Sequence, residues 1–470
     1  MDSEADRPSE QSSGSSGTRD GLRRERFSGA LEVAAVVIFI IAATAFAIIT
    51  PPGGGPDEDG HAVYARALSH GRMPRPAPAT EIHAGAGGEV IYDCAQAHHP
   101  PLYYAIVGGL HALTGHQDGL LTPIGRTLNI LAGIAALLLI RAAMHRAFPD
   151  RSLAIAAGLG IAAASVSFTY VMGSFTNDPL AVLATCAAIY LAVRALQSPR
   201  PMRWLLALGG ALGVGLLAKL TAAVIVIPLL VAGLGVARRE APDAWRRAAW
   251  GTAAALGIAA VLVGPWLARN YLLVGVPTFN CAPRPPLFES SADLIIEPVA
   301  TVLATALGLE EAIAGAWWPE WLLRDHHTLT ADIFVGGGLT PDTRPAWMLL
   351  LPLAVGALGF AGVIGQMRGR GRVEPDASGR SVLWILILIP VMATAGILHQ
   401  ALLVDGHILR WAGRYVSVLI PAASMAIALG LDGWRPGRWR IALPIAAILT
   451  AVALNGWAAL RVMRIYEGWL

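Results

Sequence analysis

Pro56-Asp57-Glu58-Asp59-Gly60-His61, with Tyr64 one helical turn further on, is the densest acidic group bordering a long apolar run in this chain. Adjacent carboxylates beside a lipid boundary lose solvation and repel each other. A fold that keeps them there has a proton, a cation or a sugar hydroxyl for them to bind. The same residues also suit a solvated helix start, where acids face the positive end of the helix dipole. Five further segments carry side chains able to do chemistry: His99 and Tyr104 in His98-His99-Pro100-Pro101-Leu102-Tyr103-Tyr104, Asp178 before Pro179, Lys219 between two apolar runs, Arg269 at the end of another, and Arg414-Tyr415. Carboxylates, arginines and hydroxyl-bearing rings in this combination suit proton abstraction beside a departing anion.

The elements that must position these residues are membrane helices. With 55% hydrophobic and 14% charged residues and a mean hydropathy of +0.55, the chain is far more apolar than a soluble domain. Runs of about 20 residues, long enough to cross a bilayer, fall near 29–50, 120–141, 152–173, 178–197, 203–218, 221–237, 248–268, 345–367, 381–403, 415–432 and 440–460. The expectation is an all-α polytopic membrane protein of about eleven transmembrane helices, with residues 1–28 a disordered cytoplasmic tail and 29–470 a single membrane domain. Arginines flank both ends of 203–237, so the positive-inside rule requires two crossings there and puts Lys219 at the far turn. Carried along the chain, the rule puts the N-terminus in the cytoplasm. Two large loops, about 51–119 and 271–344, then lie outside the plasma membrane, each with interfacial helices.

Within the first loop, Asp57 to Leu68 reads as a short helix with Asp57, His61 and Tyr64 on one face. Residues 100–114 read as an amphipathic helix on the membrane surface, its tyrosines at headgroup level. Ala292 to Ala314 reads as a second such helix. Cys94 and Cys281 both fall in the outside loops, where they are a disulfide candidate in an oxidising compartment, while Cys186 is a core residue of a span. No basic stripe suits nucleic acid, and no glycine-rich phosphate loop suits a soluble nucleotide.

Several motifs occur in order and on one side of the membrane: the Asp57-Glu58 pair, His99-Pro100-Pro101-Leu102-Tyr103-Tyr104, Gly125-Arg126-Thr127-Leu128-Asn129, Asn177-Asp178, Leu217-Ala218-Lys219, Trp266-Leu267-Ala268-Arg269-Asn270-Tyr271 and Gly413-Arg414-Tyr415. The set resembles the GT-C superfamily of membrane glycosyltransferases, in particular its protein O-mannosyltransferase and aminoarabinose-transferase-like branch. The resemblance implies an inverting enzyme that moves a hexosyl or pentosyl group from a polyprenyl-phosphate carrier to an acceptor, protein, lipid or glycan, outside the membrane. It implies Asp57 as the base with Glu58 as its rival or orienting partner. Asp59, a third acid, blurs that choice. His61, Tyr64, His99, Tyr104, Asp178, Lys219, Arg269, Arg414 and Tyr415 are then substrate-binding candidates, with Arg269 and Arg414 on the phosphate.

Each has a plainer reading beside it. Asp178 suits a helix start before proline, arginines at helix ends snorkel, and His99 and Tyr104 suit an interfacial anchor. Lys219 needs an anion, either phosphate or Asp57. No cofactor is demanded, although Asp57 and Glu58 have the oxygen ligands for a divalent cation. The competing class is a polyprenyl-lipid transporter or flippase, which predicts internal repeats and midplane charges; neither is visible.

Overall fold

The computed structural model describes residues 14–55, 57–74, 82–84, 90–92, 96–239, 242–275, 277–278, 346–369, 375–399, 417–434 and 439–465. Helix α1 (Gly14–Ile49) leads through a glycine turn into α2 (Glu58–Ser69). A small antiparallel hairpin follows, β1 (Ile82–Ala84) on β2 (Val90–Tyr92), with Ile82 opposite Tyr92. Then come α3 (Leu102–Leu113), α4 (Asp118–Ala147), α5 (Ser152–Ala164), α6 (Val166–Gly173), α7 (Asp178–Gln197) and α8 (Met202–Ala218). A 3-10 turn (Leu220–Ile225) opens α9 (Val226–Ala237), and α10 (Ala244–Val274) follows. The C-terminal helices are α11 (Ala346–Met367), α12 (Ala377–His399), α13 (Ile420–Trp434) and α14 (Trp439–Ile465).

This is a multi-pass membrane protein. Six stretches are long and apolar enough to cross a bilayer: Glu25–Ile49, Asp118–Ala147, Asp178–Gln197, Leu220–Ala237, Ala244–Leu273 and Arg440–Leu460. The pair α5–α6, bent by 67°, makes a seventh if taken as one span. The remaining four expected runs fall on α8, α11, α12 and α13, whose described apolar parts are shorter. The described part of every expected run is therefore helical, and among the described residues six or seven stretches reach spanning length. Helix α1 begins at Gly14, so it takes in residues 14–28 that the sequence suggested as a tail; their Arg and Glu content suits helix.

Apolar side chains of α1, α4, α5, α7, α8, α9, α12 and α13 form one continuous core. Inside it the helix break at Ser165 has an identifiable cause. Ser165 is extended (ψ 103) and its hydroxyl accepts the Phe168 N–H at 3.2 Å, capping α6. The Ala163 carbonyl next to the break accepts the Asn455 side-chain amide at 2.7 Å, and Thr169 donates its hydroxyl to the Asn455 oxygen. A membrane interior offers backbone groups no water, so a break of this kind persists only where such partners exist.

The surface-helix expectation for 100–114 is corrected. Helix α3 is shorter, and Tyr103 and Tyr104 are fully buried among protein side chains instead of lying on an open face of the helix. They pack with Tyr64, Leu121 and Phe175 in a cluster of their own. The approach of α3 to α2 needs Gly108, where a Cβ would sit 2.6 Å from the Ala65 carbonyl oxygen. That close crossing turns both tyrosines inward and leaves Leu113 on the outside.

Asn455→Ala removes the donor to Ala163 and the acceptor of Thr169. The expected cost is about 1–3 kcal/mol, read as a lower unfolding midpoint of the detergent-solubilised protein; an unchanged midpoint would show that the break needs no such partner.

Candidate functional site

The site is built around one arginine that the sequence shows only as part of a motif. Arg126 lies in the first part of α4 and is buried. Its Nε and Nη2 donate to the two Glu58 oxygens at 2.8 and 2.6 Å. The same guanidinium donates to the carbonyls of Ala47 (2.7 Å), Thr50 (2.6 Å) and Pro51 (2.9 Å), which end α1. All five donors of the fork are used, two on a carboxylate and three on a helix C-terminus, where a cation is favoured.

Glu58 is satisfied to the same degree. Besides Arg126 it accepts the backbone N–H groups of Gly53 (3.0 Å), Gly55 (3.2 Å) and Phe175 (2.7 Å). Five hydrogen bonds occupy the lone pairs of a carboxylate, and the residue is 2% exposed. Glu58 thus joins the end of α1, the glycine turn, α4 and the segment before α7. Gly53 has φ +82 and a Cβ there would lie 2.5 Å from Asp59 Oδ1, so this turn requires glycine.

Asp57 is a different kind of acid. It precedes α2 in the left-handed region (φ 53, ψ 22), makes no side-chain cap and is exposed, as is Asp59. Asp and Asn tolerate that backbone better than other residues with a Cβ. Asp57, His61 and Tyr64 do not form one helical face as expected, because Asp57 lies outside the helix. The buried side of α2 is Glu58, His61, Tyr64 and Ala65.

His61 and Tyr64 meet α3. The rings of His99, His61, Tyr104 and Tyr64 form a near-parallel column, with centroid separations of 5.9, 5.6 and 4.0 Å along it. His61 Nδ1 lies 2.7 Å from the Tyr104 hydroxyl. Tyr64 donates to the His99 carbonyl at 3.4 Å. Tyr64 and Tyr104 are fully buried and His61 nearly so, while His99 is half-buried. Three of the four rings are therefore internal scaffold and not an open face for a sugar.

Burial pushes the Tyr64 phenol well above its ordinary pKa, and the Arg269 cation pulls partly against that. Burial likewise raises Tyr104 strongly, helped by coupling to the neighbouring phenols of Tyr64 and Tyr103 and by the carboxylates of Asp178 and Asp57. Asp57 and Arg269 thus act on the two stacked phenols from opposite signs. Arg269 itself donates from Nη2 to the Pro74 carbonyl at 2.7 Å and from Nη1 to Asn270 Oδ1 at 3.4 Å.

Asp178 and Lys219 form a buried ion pair at 2.7 Å, 3% and 4% exposed as residues. Lys219 takes Asp178 as its anion, in place of the phosphate or Asp57 suggested by sequence. Thr176 donates to the same Asp178 oxygen at 2.9 Å, and Asn177 Nδ2 donates to the Ala218 carbonyl at 3.0 Å. The pair locks the start of α7 to the end of α8, so Asp178 is more than the start of a helix. Asn129 steadies the same segment through the carbonyls of Ser174 (2.6 Å) and Thr176 (2.8 Å).

The structure therefore brings together Asp57, Glu58, His61, Tyr64, His99, Tyr104, Asp178, Lys219 and Arg269. Arg414, Tyr415, Cys94 and Cys281 lie outside the described residues, as does the expected helix at Ala292 to Ala314. Sequence reasoning passed over Arg126 and Asn129 as contributors. The available signal was a cation inside an apolar run, which is costly without a partner. Among the described residues no three His, Cys, Asp or Glu side chains are grouped to hold a metal ion. The Glu58 oxygens are committed to donors, so the cation ligand set of Asp57 and Glu58 does not fit this geometry.

Residues 98–268 match a family model described as dolichyl-phosphate-mannose-protein mannosyltransferase. No curated protein matches the chain in sequence. The apo oligosaccharyltransferase of Archaeoglobus fulgidus is similar in structure, with a TM-score of 0.52 at 13% identity over 92% of this chain and 56% of that one. AglB from the same organism, in complex with an inhibitory peptide and a dolichol-phosphate, matches at 0.51 with 12% identity over 91% and 55%. Apo ArnT from Cupriavidus metallidurans gives 0.48 with 16% identity over 89% and 62%. The chain spans just over half the length of the archaeal structures.

Breaking the buried Glu58–Arg126 pair leaves one charge without its partner. Arg126→Gln should lower stability by about 3–5 kcal/mol, measured as the unfolding midpoint, and a loss below 1 kcal/mol would contradict the role given to the pair. The raised phenols make a separate, pH-dependent prediction. A group whose folded pKa lies above its unfolded value of about 10 contributes stability fully below that pH and loses it as pH rises beyond. Melting temperatures should therefore drop above pH ~10, and Tyr104→Phe should flatten the drop.

Proposed function

We propose that this chain, which has the fold of the GT-C membrane glycosyltransferases, moves a sugar from a polyprenyl-phosphate carrier to an acceptor hydroxyl on the extracytoplasmic side of the membrane, with inversion at the anomeric carbon. The observation that carries the proposal is the division between the two neighbouring acids. Glu58 is spent on Arg126 and backbone amides, while exposed Asp57 is held beside it. An inverting transfer needs a base at the acceptor hydroxyl and a cation at the departing phosphate.

Asp57 is the base. It takes the proton as the acceptor oxygen attacks and the bond from the anomeric carbon to the phosphate oxygen breaks. Arg269 is the cation, since its present partner, the neutral Pro74 carbonyl, is a weaker acceptor than a phosphate oxygen. Lys219 is already neutralised by Asp178, so it shapes the site without holding the phosphate. Dolichol-phosphate bound to AglB and the mannosyltransferase family model both support a polyprenyl-phosphate donor. Arginines flanking the opposite helix ends support an extracytoplasmic site.

The test is consumption of radiolabelled polyprenyl-phosphate mannose by membranes containing the protein. Asn keeps the left-handed backbone that Asp57 adopts, so Asp57→Asn isolates the charge. It should reduce turnover by about 100-fold or more, whereas Arg269→Gln should raise the KM for the carrier. Full turnover by Asp57→Asn would remove the base, and movement of the carrier across the bilayer without its consumption would favour a flippase.

A further inference from the structure

Helix α7 starts at Asp178 in the candidate site and carries Arg194 in its last turn, so its junction with α8 lies at the opposite end of the bundle. From Arg194 to Trp204 the chain has three arginines and no acid. Two of them stand over one indole: the guanidinium carbons of Arg194 and Arg203 lie 4.2 and 4.8 Å from the centroid of the Trp204 ring. Arg194, half-buried, also donates from Nη1 to the Tyr190 hydroxyl at 2.7 Å. The aromatic face offsets part of each charge, but two like charges around one ring still repel.

The groups that could neutralise these charges are committed elsewhere. The carbonyls that end α7 belong to Arg239, which donates to Ala195 (2.8 Å), Leu196 (2.6 Å) and Ser198 (2.6 Å). Glu32 takes Arg141 and His145, and Asp243 takes Arg246 at 3.7 Å. Among the described residues Arg194 and Arg203 form no ion pair. Arg203 also lies in the first turn of α8, which has no acid and whose dipole disfavours a cation. The junction is held in shape: Pro199 and Pro201 fix two φ angles, the Arg200 N–H donates to Ser198 Oγ at 3.1 Å, and Gln197 Nε2 donates to the Arg146 carbonyl at 2.8 Å.

The depth of this junction in the bilayer follows from α10. A Cβ on Gly251 would lie 2.7 Å from Leu205 Cδ1 and 3.1 Å from the Met202 sulfur, so the start of α10 packs beside the start of α8. Trp245 and Trp250 there are 61% and 74% exposed, and indoles exposed near helix ends mark the membrane–water interface. Lipid phosphates lie at that level. Guanidinium forks suit phosphate oxygens, and a headgroup without an ammonium adds no cation to a junction that already has too many. We infer that Arg194 and Arg203, seated on Trp204, bind the phosphodiester of one anionic glycerophospholipid, with Arg200 at the rim. This site does no chemistry, shares no residue with the candidate transferase site and stands independently of that reading.

Native mass spectrometry of the detergent-purified full chain, titrated with phosphatidylglycerol or phosphatidylcholine, tests the inference. One phosphatidylglycerol should be retained in preference to phosphatidylcholine. Arg203 is exposed, so Arg203→Gln should fold normally and weaken that retention about fivefold, the loss of one basic contact at a charged headgroup. Arg246→Gln removes a cation that already has Asp243 and should leave retention unchanged. Arg194→Gln also loses its bond to Tyr190, so it is read beside Tyr190→Phe: retention should fall in the first and hold in the second. Equal retention of the two lipids, or wild-type retention by Arg203→Gln, would overturn the inference. Equal losses in Arg203→Gln and Arg246→Gln would overturn it too, because general surface charge would then account for the binding. Displacement of the lipid by an equal concentration of inorganic phosphate would show a site for free anions instead.

Discussion

The Glu58–Arg126 pair is the interaction on which the rest of the site depends. One guanidinium closes the C-terminus of α1 and grips the carboxylate that begins α2, while that carboxylate also holds the turn between them and the Phe175 amide ahead of α7. Four separate pieces of chain meet at two side chains. The arrangement costs desolvation of both ions, and it is tolerable only because every donor and acceptor is matched. Its consequence is a division of labour between adjacent acids: the inner one is consumed by structure, and the outer one is held in a left-handed turn beside it.

The other charges inside this membrane fold obey the same constraint. Lys219 and Asp178 neutralise each other next to the site. Away from it, Glu32 of α1 is buried and accepts from Arg141 at 2.6 Å and meets His145 at 2.8 Å, tying α1 to α4. Asn455 does the equivalent for the broken α5–α6 pair. In lipid, a polar group without a partner costs several times what it would in water. Each such pair therefore pins two helices at a defined register. Apolar packing fills the space between those pins, and the pins hold the rings of α2 and α3 against α4 and the segment ahead of α7.

Much of this was legible in the chain because the membrane imposes a simple code. Long apolar runs, arginine-flanked loops and the acidic cluster after the first run identified the helices and the neighbourhood of the site, and the ordered motifs pointed to the GT-C fold. What sequence left hidden was pairing. The tyrosines of α3 read equally well as headgroup anchors, because an apolar helix start with two tyrosines suits either environment, and only the close crossing at Gly108 decides for burial. Lys219 needed an anion, but Asp178, 41 residues away, could be named only in three dimensions. Glu58 and Asp57 are chemically near-identical neighbours. Arg126 separates their roles, and it reads in sequence as one member of an apolar span.

A cryo-electron microscopy structure of the full chain with polyprenyl phosphate bound would test most directly whether the outer acid and the far arginine form the reacting pair. The account predicts the phosphate on Arg269, its bond to the Pro74 carbonyl surrendered, with Asp57 across a sugar-sized space from it on the acceptor side and the Glu58–Arg126 contacts unchanged. A phosphate seated on Arg126, with Glu58 released toward it, would contradict the account.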